Sequence, residues 1–298
     1  MKGARMNWPR KNDLSVALWA SVLLALAAAG PEAQPVSTGP VNLLKNGGFE
    51  SGEKCPDGWL IRFARKDLSD LTDIRRVDDL TIFWDDKAGT PGKCIRMDTD
   101  VSQREVHRRM EQLIAHPDAA PWPKTPTKPP KYDTAAGLQG VTFWSDPIPV
   151  EKGKMYRLSV DAKGRMAGIF FPKVFVRGFG QAPMADGTIR ERRLYDTYLA
   201  CRLSTLDKWR HFEQTLRPTD RTPAVTHVRV MLMAYWPPGE YLWDNVRLEE
   251  VPADEAARIR VESAREVQEE PPRPTPKPHR VGESFVIEEE EPLELPEK

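Results

Sequence analysis

The chain has 298 residues, with 44 basic and 44 acidic side chains, so its formal net charge is zero. A balanced charge gives no global field that would attract nucleic acid or an acidic membrane, and neither is an expected partner. The hydrophobic fraction of 40% suits a packed core and excludes a bundle of membrane helices. A chain of this length holds one large domain or two small ones.

The first 29 residues have the pattern of a secretory signal peptide. Basic residues between positions 2 and 11 precede an apolar run from Leu14 to Ala29, which ends in three alanines. This order predicts cleavage after Ala29 and a secreted or extracytoplasmic location in the cell envelope. A retained signal anchor is the alternative, but the run is short for a bilayer span of about 20 residues. Residues 30–41 then form a linker.

Export would place the three cysteines where disulfides persist. Cys55 lies in a turn sequence and Cys94 in a strand-like run. A Cys55–Cys94 bridge that leaves Cys201 unpaired is one outcome, and three buried free thiols are the other. The number and spacing of the cysteines do not fit a structural zinc site.

Short alternating runs dominate the chain after Asn42. Apolar residues alternate with polar ones from Tyr156 to Ala162, and a second alternating run extends from Val228 to Ala234. This period of two is typical of strands with one buried face. The spacers are too short or too rich in turn residues for the helices that a parallel sheet requires. We therefore predict an all-β, antiparallel β-sandwich over residues 42–251.

One insertion interrupts this pattern at about residues 100–140. Ser102 and Glu105 have the spacing of a capping box, and the apolar residues that follow have helical spacing until Pro117. A proline-rich stretch then contains Trp122 and Tyr132, which suggests that the insertion packs onto the sandwich. The domain is expected to end near Val251.

The C-terminal segment has a different composition. Residues 252–298 are rich in proline and acidic residues, which predicts a disordered tail. Within this tail, residues 253–268 have a pattern that could form a short amphipathic or solvated helix.

Two stretches at the ends of the predicted sandwich form a recognisable pair of motifs. The opening stretch runs from Asn42 to Glu50 and is followed by Pro56-Asp57-Gly58-Trp59, and the closing stretch is Trp243 to Leu248. Together they resemble the galactose-binding-like jelly-roll carbohydrate-binding modules, especially the CenC-type modules and those attached to xylanases and glucanases. The resemblance covers about residues 42–250 without the insertion, and it implies a jelly-roll sandwich. It implies little about the ligand, because one fold hosts many functions.

The opening stretch also has a physical interpretation. Asn46-Gly47-Gly48 predicts a chain reversal that needs positive φ or a close backbone approach. Phe49 and Trp59 are large apolar side chains, and we expect both to anchor the core.

The resemblance further implies a structural calcium. Its ligands would be Glu50 and Asp244, with Asp86 or nearby carbonyls completing the six to eight oxygens that calcium takes. The alternative is that Glu50 and Asp244 bind backbone or arginine partners at the end of the sheet.

Sugar rings stack on aromatic side chains, so aromatic residues outside the core are candidate ligand contacts. Trp144, beside Phe143 in a strand-like run, is expected in the core instead. A basic group at Arg190, Arg192 and Arg193 could contact an acidic sugar or form a solvated loop. The candidate ligand-binding residues are Trp84, Trp122, Tyr132, Tyr195, Tyr198, Tyr235 and Trp236.

The sequence thus predicts a secreted, non-catalytic protein that binds a polysaccharide or another glycan. No metalloprotease motif, nucleophile elbow or phosphate loop is present in the sequence. The alternative is a module that uses the same sandwich to bind protein partners. A third option is a polysaccharide lyase-like enzyme that uses Arg192, Tyr195 and Tyr198.

Overall fold

Strands make up most of the regular structure of this chain. The computed structural model describes residues 40–62, 74–122, 131–138, 140–164, 171–203 and 208–269. The signal peptide, nearly all of the linker and residues 270–298 lie outside the described residues. The strands are β1 (Trp59–Leu60), β2 (Ile82–Gly89), β3 (Gly92–Asp98), β4 (Val141–Ser145), β5 (Ile148–Pro149), β6 (Tyr156–Lys163), β7 (Lys173–Pro183), β8 (Ile189–Ala200), β9 (Arg210–Leu216), β10 (His227–Ala234) and β11 (Glu240–Glu250).

These strands form two sheets that pack face to face. The first sheet has the order β1-β4-β10-β7-β8, with β5 also paired to β10, and the second has the order β2-β3-β11-β6-β9. Every strand pair recorded in the two sheets is antiparallel. The predicted antiparallel β-sandwich is therefore confirmed, and its strand order is of the jelly-roll kind.

The core lies between the two sheets. Alternate residues of each strand point into it, as the period of two in the sequence predicts. Val230 and Leu232 enter it from β10, and Val160 enters it from β6. Trp59 stacks on Phe143 with ring centroids 5.5 Å apart, and it contacts Phe49 at 5.0 Å. Phe49 and Trp59 are fully buried, so their predicted role as core anchors is confirmed.

The first and last segments of the sandwich lie side by side. Asn42 forms an antiparallel bridge with Glu249, and the Leu43 N–H donates to the Leu248 carbonyl at 2.8 Å. The Asn42 side chain accepts from the Leu248 N–H at 2.9 Å and donates to the Val246 carbonyl at 3.1 Å. The ends of the domain therefore close against each other through backbone and side-chain hydrogen bonds.

A tight turn after this contact requires glycine at position 47. A Cβ atom on Gly47 would lie 1.8 Å from the Val246 carbonyl oxygen, a distance no real side chain allows. Asn46 supplies the positive φ of the turn, at 52°. The sequence prediction of a close backbone approach thus applies to Gly47, and that of positive φ applies to Asn46.

The insertion begins with helix α1 (Gln103–Ala115). Its start and its stop before Pro117 agree with the sequence, but the capping box is wrong because the Ser102 side chain makes no capping hydrogen bond. The helix is fixed instead by Arg109, which is fully buried. Its Nε donates to the Asp78 carbonyl at 3.0 Å and its Nη1 donates to the Ala120 carbonyl at 3.0 Å. A one-turn helix, α2 (Ala135–Leu138), then leads into β4.

A third helix, α3 (Ala253–Glu269), follows the sandwich directly. Arg157 on β6 forms an ion pair with Glu255, and Arg260 donates to the Gly153 carbonyl at 3.0 Å. The helix that the sequence suggests at residues 253–268 is therefore present, and its first turns are attached to the sandwich.

The cysteines are all reduced and buried. No disulfide joins Cys55 and Cys94, and Cys201 is likewise a free thiol. The Cys55 thiol contacts the Trp59 carbonyl oxygen at 3.3 Å. Burial raises the pKa of Cys55 and of Cys94 to about 12, and it also raises the pKa of Cys201. Of the two outcomes left open by the sequence, the structure has the three free thiols.

Candidate functional site

The first sheet has a second, outward face that carries aromatic side chains. Along β7, Val174 and Val176 point into the core, so Phe175 and Arg177 point to the opposite side. On that side a small cluster forms from Leu60, Trp144 and Met231. We call the outward side of this sheet, from β1 to β8, the outer face.

One row of side chains crosses the outer face at right angles to the strands. Its members are Cα partners in the sheet register, and from β1 to β8 they are Leu60, Trp144, Met231, Phe175 and Tyr198. The Phe175 and Tyr198 rings are in contact, with centroids 5.5 Å apart at 50°. Tyr198 is 44% exposed and Phe175 is half-buried, so this end of the row is open to solvent. The row spans four strand spacings, roughly 19 Å.

Two guanidinium groups cover the tryptophan in this row. The Arg177 guanidinium lies 5.1 Å from the Trp144 ring centroid, and the Arg62 guanidinium lies 5.6 Å from it. Arg177 also lies 5.3 Å from the Phe175 ring. Contacts of this kind are cation–π interactions, which hold an arginine over a ring without neutralising its charge. Trp144 is only 7% exposed as a result.

A second row beside the aromatic one is charged. Arg229 and Arg177 are Cα partners, and Asp196 on β8 continues their row. The Asp196 carboxylate is shared between two arginines, at 3.7 Å from Arg177 Nε and 3.2 Å from Arg193 Nη1. Arg177 Nε is buried and makes no hydrogen bond to any described residue. Burial lowers the pKa of Arg177, and the charges of Arg193 and Arg62 lower it further.

Aromatic residues chosen from the sequence do not share one site. Trp84 lies on β2 in the second sheet, where its Nε1 donates to the Phe49 carbonyl at 2.8 Å. Trp122 lies beside helix α1, with the Arg108 guanidinium 4.8 Å from its ring. Both rings are half-buried, and neither belongs to the outer face.

A separate aromatic pair connects two loops. The Tyr132 and Trp236 rings stack with centroids 5.5 Å apart at 18°, and Tyr132 is 79% exposed. Tyr235, which directly precedes Trp236 in the sequence, is half-buried. These residues lie between α1 and β4 and between β10 and β11, so they form a second aromatic surface away from the row of Trp144 and Tyr198.

The tyrosines of β8 point in opposite directions. Tyr198 is the partner of Phe175 on the outer face, whereas Tyr195 is the partner of Gly178 and packs against the main core. Burial raises the pKa of Tyr195. Tyr195 and Tyr198 therefore cannot meet one substrate together, and the lyase-like set that needs both of them with Arg192 is not assembled.

Sequence reasoning missed most of the outer face. Trp144 is buried, as the sequence predicts, but it belongs to the small cluster with Leu60 and Met231 on the side of β4 opposite to Phe143, which joins the main core. Phe175, Arg177 and Arg62 were not identified as candidates. The alternation of β7 contains the signal for Phe175 and Arg177, because Val174 and Val176 already fill its buried positions.

The predicted metal ligands lie at the other sheet. Asp244 is buried on β11; its Oδ2 accepts from the Thr90 N–H and its Oδ1 from the Asn245 N–H, both at 2.6 Å. Glu50 Oε1 accepts from the Lys93 N–H at 2.9 Å. Both side chains lie near Gly48. A Cβ atom added to this glycine would be 3.9 Å from Asp244 Oδ1 and 4.0 Å from Glu50 Cγ.

Burial and neighbouring negative charges both act on Asp244. Burial raises the pKa of Asp244 to about 6, and the neighbouring carboxylates of Glu50 and Asp161 contribute to the increase. No three histidine, cysteine or acidic side chains gather as a metal site in the described part of the chain. Two carboxylates would thus supply part of a calcium shell, and backbone carbonyls would have to supply the rest.

Within the described residues, none of the helices has both the length and the apolar character needed to cross a bilayer. No family model and no curated protein matches the chain.

The fold places the protein among antiparallel β-sandwiches, and solved structures with a similar fold exist. One is the CBM22-1 xylan-binding domain from Paenibacillus barcinonensis Xyn10C, with 12% identity and a TM-score of 0.35, covering 73% of this chain and 99% of that domain. Another is a sugar-binding protein from Bacteroides thetaiotaomicron, with 14% identity and a TM-score of 0.39, covering 71% of this chain and 100% of the other.

An enzyme domain is also similar. The enzymatically active domain of the bacteriophage CBA120 tailspike protein 4 has 10% identity and a TM-score of 0.40 over 71% of this chain. The match covers only 22% of the tailspike chain. At such TM-scores these likenesses carry no information about the ligand or activity of the present chain.

Proposed function

We propose that this protein binds a polysaccharide, without catalysis, on the outer face of its first sheet. One observation carries the proposal: Trp144, Phe175 and Tyr198 occupy the same row on three strands of one sheet. A row of rings across one face of a sheet offers stacking positions for successive sugar units of an extended chain. Arginine and aspartate side chains beside the row can bind the hydroxyl groups that fix sugar orientation.

The exposed end of the row is where a ligand would make contact first. Tyr198 and Phe175 present ring surface to solvent, and Lys173 Nζ lies 4.5 Å from the Tyr198 centroid. Trp144 lies deeper, beneath Arg62 and Arg177. We infer that sugar rings stack on Phe175 and Tyr198, while Trp144 supports the arginines from below.

The direct test is binding of the purified full chain to a panel of neutral and acidic polysaccharides by affinity electrophoresis. Tyr198→Ala and Phe175→Ala should each weaken binding about tenfold or more, since truncating an aromatic residue that is central to a binding surface commonly costs about 2 kcal/mol or more. Trp236→Ala is the matched control, because its ring stacks on Tyr132 away from the row.

Three outcomes would decide between the alternatives. Unchanged binding in Tyr198→Ala and lost binding in Trp236→Ala would move the site to the loop pair. Failure of every polysaccharide to bind would refute the proposal and favour a protein-interaction module. Release of reducing ends or of unsaturated sugar products from any polysaccharide would refute its non-catalytic part.

We also propose a structural calcium held by Glu50 and Asp244, which would join the first and last segments of the sandwich. Support comes from two neighbouring carboxylates whose charges repel, since a bound cation would remove this repulsion. If calcium binds, it should raise the melting temperature of the wild-type chain relative to the same sample in chelator. Glu50→Gln should abolish that increase, and an equal increase in both proteins would refute this site.

We place the mature protein outside the cytoplasm on the pattern of residues 1–29. N-terminal sequencing of the exported protein should begin at residue 30. A mature protein that starts at Met1 would contradict cleavage and favour the signal anchor.

A further inference from the structure

The outer face carries a surplus of positive charge. Among the residues that the structure describes, five cationic side chains point to it or lie over its rings, and two anionic side chains, Asp196 and Glu191, accompany them. The cationic residues are Arg62, Lys173, Arg177, Arg193 and Arg229. The whole chain is neutral, so this surplus is a local property of the face.

The arginines over the aromatic row are only partly neutralised. Asp196 is shared by Arg177 and Arg193, and no carboxylate of the described residues forms an ion pair with Arg62. Arg62 and Arg177 both lie over the ring of Trp144, within 5.6 Å of its centroid. Two like charges above one ring repel each other, and a bound anion would relieve that repulsion.

The geometry points to an anionic ligand of a particular kind: we infer that the outer face binds a polyuronate, a polysaccharide whose sugar rings carry carboxylates. This inference rests on the polysaccharide-binding function proposed above. The carboxylates bind the guanidinium groups of Arg62 and Arg177, which can form paired hydrogen bonds with a carboxylate. The adjoining ring faces stack on Phe175 and Tyr198.

A nucleic acid fits the same face less well. Its phosphates are closely spaced, at one charge per about 3.4 Å of a single strand. Asp196 lies in the charged row, and Glu191 lies on the same strand, 3.6 Å from His227 Nε2. These carboxylates would repel a continuous row of phosphates, whereas they can accept hydrogen bonds from sugar hydroxyls.

The test uses one polysaccharide in two charge states. Binding of the full chain is measured by isothermal titration calorimetry to polygalacturonate and to the same polymer with its carboxyl groups fully methyl-esterified. Polygalacturonate should bind at least tenfold more tightly, and raising NaCl from 50 to 300 mM should weaken its binding because salt screens charge. Polyuridylate is the nucleic-acid comparison and should bind at least tenfold more weakly.

Arginine-to-glutamine variants show which side chains bind the carboxylates of polygalacturonate. Arg62→Gln should weaken polygalacturonate binding about tenfold, since it removes a charge-assisted hydrogen bond. Arg177→Gln should weaken binding by a similar factor. Arg258→Gln is the control, because it removes the same charge from helix α3, away from the outer face, and should leave binding unchanged. Melting temperatures are measured for each variant. If Arg177→Gln lowers the melting temperature, Lys173→Gln serves as its replacement, because Lys173 Nζ lies beside the exposed Tyr198 ring.

The possible results separate this inference from the proposed function. Equal binding of the acidic and esterified polymers, or tighter binding of the esterified one, would refute the polyuronate inference and leave polysaccharide binding standing. Tighter binding of polyuridylate would refute both. Alginate and hyaluronan test other uronates, and a failure of all three uronates beside a positive neutral polysaccharide would also overturn the inference.

Discussion

Asp244 gives the sandwich a pH dependence that can be measured. Its carboxyl group has a pKa of about 6 in the folded chain, against 3.8 as the reference value. The folded state therefore holds this proton more tightly than the unfolded state does. The resulting stabilisation is fully present below about pH 4 and is lost as the pH rises through about 6.

The size of this effect follows from the shift. A difference of about 2 pKa units corresponds to about 3 kcal/mol, at 1.36 kcal/mol per unit. Of this amount, the free energy of unfolding of wild type should lose about 2.4 kcal/mol between pH 4 and pH 7, because the unfolded carboxyl group is already partly ionised at pH 4. Asp244→Asn removes the titrating group, so the difference in stability between the wild type and this variant should change by that amount over the same interval.

Urea unfolding at pH 4, 5, 6 and 7, followed by tryptophan fluorescence in buffer with a chelator, measures this difference. The absolute stability of Asp244→Asn is not the readout, because an amide NH₂ facing the Thr90 or Asn245 N–H costs stability at every pH. Replacing the exposed Asp86 by Asn is the control. A wild-type-to-variant difference that stays constant from pH 4 to pH 7 would refute the reasoning.

Three further predictions concern the core and the insertion. Cys55, Cys94 and Cys201 should not react with a thiol reagent at pH 8 in the native protein and should all react in urea, because all three are buried; a fast native reaction would contradict this packing. Trp59→Ala should cost about 3–5 kcal/mol in urea unfolding, since it empties a fully buried site between Phe49 and Phe143, and a loss below 1 kcal/mol would contradict it. Ser102→Ala should cost less than about 0.5 kcal/mol, because its side chain caps nothing; a loss of 1 kcal/mol or more would indicate a capping bond in solution.

The sandwich could be predicted from the sequence because its signals are local. Alternation in Tyr156–Ala162 and Val228–Ala234 indicates strands with one buried face, and both runs are strands in the structure. The pairing of the first and last segments, shown by the hydrogen bond between Leu43 and Leu248, has no such local signal because these residues are far apart in the sequence. The capping box failed because spacing allows a side-chain bond without ensuring that the rotamer makes it.

The candidate site was harder to predict because it depends on register between strands distant in sequence. Trp144, Phe175 and Tyr198 become neighbours only when β4, β10, β7 and β8 align. Loop aromatics such as Trp236 are candidate ligand contacts in the sequence because rings outside strands are difficult to place in a core. An outward ring within a strand looks like a core residue until both faces of its sheet are known.

The contact between Asn42 and Glu249 also determines how the domain responds to mechanical force. The two segments run antiparallel, so the chain leaves both at the same end of their pairing. A pull between positions 41 and 251 would therefore break these hydrogen bonds one after another, as in a zipper, instead of loading them together. The segment at Asn42 pairs with β11, which belongs to the second sheet. Tension would therefore separate these two segments before it reaches the first sheet, which carries Tyr198.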